Sequence, residues 1–322
     1  MIEFSSRNAR TWSRLGSCGA FGIAACELAE NNEKLVVLTA DLCFYSGLER
    51  FRQSYPDKLY NCGIAEANMI GMAAGFAKEG FIPFATTYGT FASMRCADQV
   101  RVNMGYMKLP IKLIGLTSGL SVGILGATHT GNEDLAVFRA IPNIDVISPA
   151  DCMETIKAVQ AAFMTDRPTY IRLTGTTTNP PVYMEDYDFQ IGKAIIFKLG
   201  VDVNIIATGT MVYIALKVAD ALNEKGIDAG VINMHTIKPL DENAIIDAAK
   251  AKKLVTIEEH SIIGGLGSSI NDCLIKNKIF TPCLNLGLAD EYKHAADYTY
   301  LLDSYGLSVD KLTEKILNFQ GV

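Results

Sequence analysis

The chain has 322 residues, more than one hydrophobic core usually fills, and its 49% hydrophobic and 20% charged residues are typical of globular proteins, so we expect two domains. Its formal net charge of −6 and its lack of lysine or arginine runs argue against broad binding to nucleic acids or anionic membranes. No apolar stretch approaches the roughly 18 residues of a membrane span, and residues 1–10 are polar and unlike a signal peptide, so we expect a cytoplasmic protein.

The first part of the chain alternates short apolar runs with helical patterns. Strands are predicted at residues 34–39, 82–85, 111–116, 146–148 and 169–173, and a helix at residues 153–163. Asp41 directly follows the first strand, at the end of a parallel strand where binding residues often lie, although an ordinary turn residue is almost as good an interpretation. This alternation predicts an α/β fold with a mostly parallel sheet.

A lone carboxylate, Glu66, opens a predicted helix that otherwise consists mainly of small and apolar residues. Gly71 and Gly75 are four residues apart among several alanines, so another backbone can approach closely, and we expect this helix to be buried on several sides. A buried carboxylate needs a partner. Taken alone, a charge that favours the helix dipole or makes a capping interaction explains Glu66 as well as a functional carboxylate does.

The second part of the chain begins after a segment rich in threonine and proline, residues 174–181, which has no periodicity and is typical of a linker. Further strands are predicted at residues 203–207, 229–234, 254–257 and 283–288, with helices at residues 212–225 and 241–250. We therefore predict two α/β domains with mostly parallel sheets, one over residues 1–178 and the other over residues 188–322.

The eight cysteines and four histidines form no recognisable metal-binding pattern. The cysteines are scattered, include no Cys-x-x-Cys pair and mostly lie among apolar or small residues, which predicts buried free thiols. No His-x-x-x-His spacing occurs. We expect no zinc site built by this chain.

Seven segments along the chain form an ordered pattern. They are residues 61–77 (NCGIAEANMIGMAAGFA), 81–91 (FIPFATTYGTF), 115–123 (GLTSGLSVG), 126–129 (GATH), 132–143 (NEDLAVFRAIPN), 231–241 (VINMHTIKPLD) and 258–268 (EEHSIIGGLGS). The first five resemble the pyrimidine-binding domain of transketolase-type enzymes, which use thiamine diphosphate, and the last two resemble landmarks of that family's C-terminal domain. Because the segments agree in order and spacing, the resemblance covers nearly the whole chain.

The resemblance implies how the cofactor's aminopyrimidine ring is held. Glu66 corresponds to the family's activating glutamate, which hydrogen-bonds N1′ and stabilises the imino tautomer that takes the proton from thiazolium C2. Tyr88 and Phe91 correspond to an aromatic pair that stacks on and encloses the ring. Tyr88 is aligned through a loop that is one residue longer than in some relatives. Without the resemblance, Tyr88 and Phe91 would be interpreted as ordinary core aromatics.

The resemblance also assigns three residues near the substrate and the rest of the cofactor. His129 corresponds to a histidine that faces the substrate and assists proton transfer, which a histidine can do at neutral pH. A histidine that caps a nearby turn is the alternative. Asp41 corresponds to an aspartate near the thiazolium and the subunit interface, and Ile64 to a cofactor-contacting position.

One motif of the family is missing from the chain. Transketolases hold the cofactor diphosphate and Mg²⁺ with a Gly-Asp-Gly motif and a later asparagine in a preceding domain, and no Gly-Asp-Gly occurs in these 322 residues. The resemblance therefore implies a split enzyme, in which an N-terminal-half partner holds the diphosphate and Mg²⁺, and an α2β2 heterotetramer is the natural assembly.

The glycines of residues 263–268 do not fit Gly-x-Gly-x-x-Gly, and we expect them to serve packing.

Three positions depart from the family where a sugar phosphate should bind. Thr117 replaces a usual histidine, Leu125 lies in a pair that replaces Glu-Asp, and Gly175 replaces a common phosphate-binding arginine. Each change removes a polar or cationic contact, and arginine is favoured for phosphate because it forms paired hydrogen bonds. The donor and the acceptor, and whether they are phosphorylated, therefore stay open.

The resemblance predicts the β-type subunit of a heteromeric transketolase, a transferase that moves a two-carbon ketol unit from a ketose to an aldose and is active only with its partner. One alternative is the β subunit of a 2-oxo acid dehydrogenase or an acyloin-forming relative, which shares the 63–66 and 98–100 motifs. Another is a noncatalytic regulatory subunit of the same fold. Retention of Glu66, Phe91 and His129 argues against the latter.

Overall fold

Twelve strands form two sheets in the computed structural model, which describes residues 2–321. The strands are β1 (Leu35–Thr39), β2 (Leu59–Asn61), β3 (Ile82–Tyr88), β4 (Lys112–Leu116), β5 (Asp145–Ile147), β6 (Thr169–Arg172), β7 (Ile195–Lys198), β8 (Val203–Ala207), β9 (Ala229–Asn233), β10 (Thr236–Lys238), β11 (Lys253–Ser261) and β12 (Cys283–Leu288). Met1 and Val322, the outer ends of the two predicted domains, lie outside the described residues.

Both sheets are mostly parallel, which confirms the predicted fold class. The seven-stranded sheet has the order β10-β5-β6-β4-β3-β1-β2, and only its β10–β5 pair is antiparallel. The five-stranded sheet has the order β12-β11-β8-β9-β7, and only its β7–β9 pair is antiparallel. Strand β10 follows β9 in the chain but pairs with β5 in the first sheet. The second half of the chain therefore contributes a strand to the sheet of the first half. The division at residues 178 and 188 stays a prediction.

Twelve α-helices of the described chain cover these sheets. They are α1 (Ser6–Ser13), α2 (Gly16–Asn31), α3 (Glu49–Ser54), α4 (Glu66–Lys78), α5 (Ala97–Val100), α6 (Asp134–Ala140), α7 (Cys152–Phe163), α8 (Met211–Glu224), α9 (Glu242–Ala248), α10 (Leu266–Lys276), α11 (Tyr298–Ser304) and α12 (Val309–Gln320). Two π-helical turns, Phe91–Arg95 and Arg101–Tyr106, flank α5. None of the described helices combines the length and apolar character needed to cross a bilayer.

The central strands are apolar along their whole length because both faces of each sheet are covered. In β1, Leu35 and Val37 face one core cluster, while Val36 and Leu38 face the other. Each cluster contains residues from both sheets. This two-sided burial explains why continuous apolar runs, rather than alternating ones, predicted these strands.

Residues 6–31 form two helices that the sequence pattern did not predict. Helix α2 contains several glycines, which are ordinarily unfavourable within helices. At Gly22 an added Cβ would lie 2.0 Å from the carbonyl oxygen of Gly47, so the missing side chain allows a close backbone contact. Tertiary packing therefore outweighs the low helix propensity of this segment.

A buried ion pair joins the two sheets. Arg172 at the end of β6 pairs through Nε with Asp134, at 2.9 and 3.0 Å, and both side chains are almost completely buried. Tyr170 also donates to Asp134 at 2.6 Å. Nη2 of Arg172 donates to the carbonyl oxygens of Gly131 and Glu259, so β6 is connected to β11. Burial alone would raise the pKa of Asp134, but the adjacent Arg172 charge holds that pKa below its ordinary value.

The side chain of Glu259 extends this network. Its carboxylate accepts hydrogen bonds from the backbone N–H of Leu120 at 2.6 Å and from the hydroxyls of Tyr298 at 2.6 Å and Thr210 at 3.0 Å. Burial raises the pKa of Glu259, while these donors favour the charged form. The charged side chains of this network are therefore hydrogen-bonded, as buried charges need to be.

All eight cysteines are free, as predicted. Three of them are buried, namely Cys96, Cys152 and Cys273, and the other five are half-buried. Burial raises the pKa of every one of these thiols, so the reactive thiolate form is disfavoured. Among residues 2–321, no three His, Cys, Asp or Glu side chains are placed to hold a metal ion.

Candidate active site

The candidate site lies at the carboxyl edge of the seven-stranded sheet. Strands β1, β2 and β3 are parallel neighbours, so the segments that follow them emerge at the same edge. Asp41 follows β1, helix α4 with Glu66 follows β2, and Tyr88 ends β3. The topology therefore delivers residues separated by 20 or more positions to one edge.

Glu66 is the first residue of α4 and is only 3% exposed. Its Oε1 accepts a hydrogen bond from Nη1 of Arg95 at 2.8 Å. The residue at the N-cap position, Ala65, makes no side-chain capping bond. Glu66 is therefore a buried carboxylate paired with a cation 29 residues away rather than a capping residue, while its place in the first turn still favours the helix dipole.

Arg95 ends the π-helical turn and was not predicted as a site residue. Its guanidinium carbon lies 4.0 Å from the centroid of the Phe91 ring, and 49% of the side chain is exposed. A signal was available in the sequence, because an arginine four residues after an aromatic can lie against it on a helical turn. The partnership with Glu66 depends on the tertiary structure.

Three of the predicted residues form an aromatic cluster. The ring centroid of Phe91 lies 5.8 Å from that of Tyr88 and 5.3 Å from that of His129, and the Tyr88 and His129 centroids are 6.0 Å apart. Tyr45, which is 59% exposed, extends the cluster with its centroid 6.5 Å from that of Tyr88. Tyr88 is buried, which raises the pKa of its hydroxyl, whereas Phe91 is half-buried. Tyr45 was missed because nothing in its local sequence indicates this contact.

His129 takes part in a turn and also contacts the aromatic cluster, so its position is compatible with a turn-capping role and with a role at the site. Its backbone N–H donates to the carbonyl oxygen of Gly126 at 3.0 Å, and Nδ1 lies 2.9 Å from Oγ1 of Thr128, so it belongs to a turn. Its half-buried ring also lies edge-on to Phe91 at the candidate site. The turn therefore positions an imidazole beside the aromatic cluster.

Asp41 and Ile64 lie on the exposed side of the site. Asp41 has a backbone φ of 60° and its Oδ1 accepts a hydrogen bond from Asn61 at 2.9 Å. Oδ1 of Asn61 in turn accepts from the backbone N–H groups of Asp41 and Gly63. Ile64 is 79% exposed. Asn61, which was not predicted, therefore ties the end of β1 to the loop that leads into Glu66.

The glycine run before α10 is occupied by a buried carboxylate of the chain itself. Glu258 accepts hydrogen bonds from the backbone N–H groups of Leu266 at 2.6 Å and Gly267 at 2.8 Å. A Cβ added at Gly265 would lie 2.0 Å from an oxygen of Glu258. The amides that a phosphate would need already have a partner, which agrees with the predicted packing role.

Gly175 cannot hold a side chain in this backbone. Its φ is +84°, and an added Cβ would lie 2.0 Å from Oδ1 of Asn179, which is itself buried and hydrogen-bonded to Ser17 and Thr174. The predicted linker is therefore packed at this point. An arginine at position 175 would require the segment to rearrange.

The other two departures leave a less polar surface. Thr117 has a φ of 45° and its buried Oγ1 has no hydrogen-bond partner among the described residues. Ile124 and Leu125 are 72% and 47% exposed. This edge therefore presents apolar side chains where the family usually presents carboxylates.

Helix α4 packs against β1, β3, α5 and both π-helical turns, in agreement with the predicted burial on several sides, while one of its faces is open. Met69, Ile70 and Ala73 pack into the core, whereas Gly71 and Gly75 are exposed, and a Cβ added at either would meet nothing within 4 Å. The glycine face leaves room for a second backbone.

Comparisons with known proteins agree with this geometry. Residues 17–179 match the family "Transketolase, pyrimidine binding domain", and residues 192–312 match "Transketolase, C-terminal domain". A putative transketolase C-terminal section from Methanocaldococcus jannaschii is 38% identical over 300 residues, 92% of this chain and 94% of that protein. A 6-deoxy-6-sulfo-D-fructose transketolase subunit from a Clostridium species is 39% identical over 289 residues, 89% and 88% of the two chains. A solved structure described as a split gene transketolase, inactive beta4 tetramer, has a TM-score of 0.85 at 35% identity and covers 94% of this chain and 97% of its own.

Proposed function

The chain belongs to the transketolase family, and we propose that it is the C-terminal, β-type subunit of a heteromeric transketolase. Membership implies the use of thiamine diphosphate. The proposed reaction transfers a two-carbon ketol unit from a ketose donor to an aldose acceptor. The observation that carries the proposal is the buried carboxylate of Glu66, which pairs with the arginine that lies over the Phe91 ring, at the carboxyl edge of a parallel sheet.

These residues fit the aminopyrimidine end of the cofactor. Glu66 is a carboxylate with a single side-chain partner, and it would hold a proton at N1′ of the ring. Phe91 and Tyr88 would cover the ring and exclude water. His129 would move a proton at the substrate hydroxyl. When bound, the thiazolium supplies the carbon nucleophile, and the protein contributes position and a dry cavity.

A partner subunit is proposed to complete the site by holding the diphosphate and Mg²⁺. Large exposed apolar side chains surround the site, and such patches mark interaction surfaces. They are Phe44, Tyr45, Ile64, Met94 and Ile124. The open glycine face of α4 offers a second packing surface. The similar split-gene transketolase, described as an inactive beta4 tetramer, supports a subunit that needs its partner for activity, and we propose an α2β2 assembly.

We propose a sugar substrate that does not depend on the usual phosphate contacts. Gly175 has no room for a side chain, and Ile124 and Leu125 are apolar. The similar Clostridium subunit is named for a sulfo sugar, which supports substrates outside the standard pentose phosphates. The cytoplasm is the compartment that such a sugar-metabolising enzyme would occupy.

Calorimetry with thiamine diphosphate and MgCl₂ tests this proposal. The chain alone and the chain mixed with a candidate N-terminal-half partner would be titrated, with Glu66→Ala as the variant expected to lose binding and Glu79→Ala, at the exposed residue that follows the same helix, as the matched control. We expect tight binding only in the mixture, lost in Glu66→Ala and kept in Glu79→Ala. Tight binding by the chain alone would contradict the split site, and no binding in any mixture would favour the noncatalytic subunit.

A donor screen with the assembled complex then separates the two catalytic alternatives. Cleavage of a ketose with transfer to an aldose is the expected result. Decarboxylation of a 2-oxo acid would instead assign the chain to the dehydrogenase-type β subunits.

A further inference from the structure

Arg95 contacts the two groups that the proposed function assigns to the cofactor ring. Its Nη1 donates to Oε1 of Glu66 at 2.8 Å, and its guanidinium carbon lies 4.0 Å from the centroid of the Phe91 ring. The guanidinium therefore binds the Glu66 carboxylate and covers one face of Phe91 at the same time. No other described residue combines a side-chain hydrogen bond to Glu66 with a contact to the Phe91 ring.

The guanidinium and the aminopyrimidine make the same kinds of contact. Each is planar, each presents nitrogen to a carboxylate, and each can stack on an aromatic face. A carboxylate oxygen and a ring face that hold one of them are not free to hold the other. We propose that Arg95 competes with the aminopyrimidine for Glu66 and Phe91, so that Arg95 sets the affinity of the site for its cofactor. This inference rests on the proposed function.

The exposure of the two partners makes the exchange feasible. Arg95 is 49% exposed, so its charge can turn into solvent without an uncompensated buried cation being left behind. Glu66 is 3% exposed, so its carboxylate needs a replacement partner when the arginine leaves. A ring nitrogen or its proton would be that partner. The pair therefore keeps Glu66 hydrogen-bonded until the ring arrives.

The π-helical turn Phe91–Arg95 explains how the arginine reaches this place. A π-turn is wider than an α-turn and accommodates an additional residue, and such turns are frequent at functional sites. Ser93 stabilises the wide turn because its hydroxyl donates to the carbonyl oxygens of Gly89 at 2.9 Å and Thr90 at 3.2 Å. The turn thereby places the fourth residue after Phe91 over the ring rather than beside it.

The test measures cofactor binding in the full chain mixed with its N-terminal-half partner. Arg95→Leu removes the charge and the donors, and Arg95→Gln keeps a polar side chain and serves if the leucine variant folds poorly. Arg101→Leu and Arg101→Gln are matched controls, because Arg101 lies in the same helical region and pairs only with the exposed Asp98. Calorimetry with thiamine diphosphate and MgCl₂ gives Kd, and ligand-detected NMR with 4-amino-5-hydroxymethyl-2-methylpyrimidine reports on the ring alone.

We expect Arg95→Leu to bind thiamine diphosphate about tenfold more tightly than the wild type, since a part-exposed ion pair and one cation–π contact no longer compete. Arg95→Gln should also bind thiamine diphosphate more tightly than the wild type, but by a smaller factor. The affinity for the free pyrimidine should follow the same order among the variants. Both Arg101 variants should bind with the affinity of the wild type. Equal or weaker binding in the Arg95 variants, with binding still lost in Glu66→Ala, would overturn the competition and leave the proposed function standing. Absence of binding in every form, wild type included, would overturn both.

Discussion

Two arginine–carboxylate pairs of this chain share the same chemistry and differ in their surroundings. Arg172 and Asp134 are 1% and 0% exposed, whereas Arg95 is 49% exposed against 3% for Glu66. Asp134 also accepts from Tyr170, and Arg172 donates to two backbone carbonyls. The site pair instead has one hydrogen bond and one aromatic contact.

The number of additional partners decides what each pair can do. The buried pair has further hydrogen-bond partners on both residues, and separation of its two charges would leave each charge buried between the sheets without its counter-ion. The Arg95–Glu66 pair can separate because about half of the Arg95 side chain is already exposed to water. A fully partnered pair is thus suited to hold two sheets together, and a singly partnered pair is suited to exchange.

The strongest test of this contrast removes one partner of the buried pair. Arg172→Leu should lower the free energy of unfolding by about 3–5 kcal/mol, because the Asp134 charge is left buried without its cation. Denaturant unfolding followed by circular dichroism measures this loss. The control Arg101→Leu breaks an exposed pair and should cost less than about 1 kcal/mol. Similar losses in both variants would remove the distinction between the two environments.

The second test changes the carboxylate of the site pair. Glu66→Gln should lower kcat of the assembled enzyme by at least about 100-fold, since an amide cannot exchange the proton that the role requires. Its free energy of unfolding should change by less than about 1 kcal/mol, because only one hydrogen bond to a part-exposed arginine is altered. Kinetics and urea unfolding on the same preparation measure both. A large loss of stability with little loss of kcat would make Glu66 a structural residue.

The third test concerns the packed linker at Gly175 and asks whether it is a rigid part of the structure, like the buried Arg172–Asp134 pair. Gly175→Ala should destabilise the chain by about 2–4 kcal/mol through positive-φ strain and contact with Asn179. Gly226→Ala is the matched control, since Gly226 has a φ of +81° and an added Cβ there meets nothing within 4 Å. Urea unfolding of the two variants separates strain from contact. Equal losses would show that the Asn179 contact does not limit position 175.

The smallest expected effect concerns pH and the buried residue His235, which links β9 to β10. Burial lowers the pKa of His235 from 6.5 to about 4. A histidine whose folded pKa is depressed contributes stability that is present above its unfolded pKa and lost as the pH falls toward the folded pKa. His235→Asn should therefore flatten the dependence of unfolding free energy on pH, by about 1.5 kcal/mol between pH 6.5 and pH 5. Urea midpoints at several pH values measure the slope, and an unchanged slope would show that His235 does not titrate on unfolding.

The local sequence predicted the central strands well, because both faces of these strands are buried and their residues are apolar throughout. Strands β8 and β12 agree with their predicted ranges, the other predicted strands differ by a few residues at their ends, and the short β2 and β7 were not predicted. The glycine-rich α2 and the short β10 were not predicted, because α2 depends on close backbone contact at Gly22 and β10 depends on pairing with β5, which is distant in the chain. Propensity carries no information about either partner.

The candidate site divides in the same way. Glu66, Phe91 and His129 could be identified from ordered motifs, because each motif has a characteristic spacing within a short segment. Arg95 and Asn61 could not, because their importance comes from side chains 29 and 20 residues away. The π-turn and the parallel strands bring those side chains together.

The sequence by itself therefore determined the α/β class, the family resemblance and the candidate residues of the site, since these depend on local periodicity and on motifs of fixed spacing. The tertiary structure alone decided which charges are fully partnered and which can exchange, why position 175 excludes a side chain, and which face of α4 stays open. These properties depend on the number and distance of neighbours from other parts of the chain, which no local pattern records.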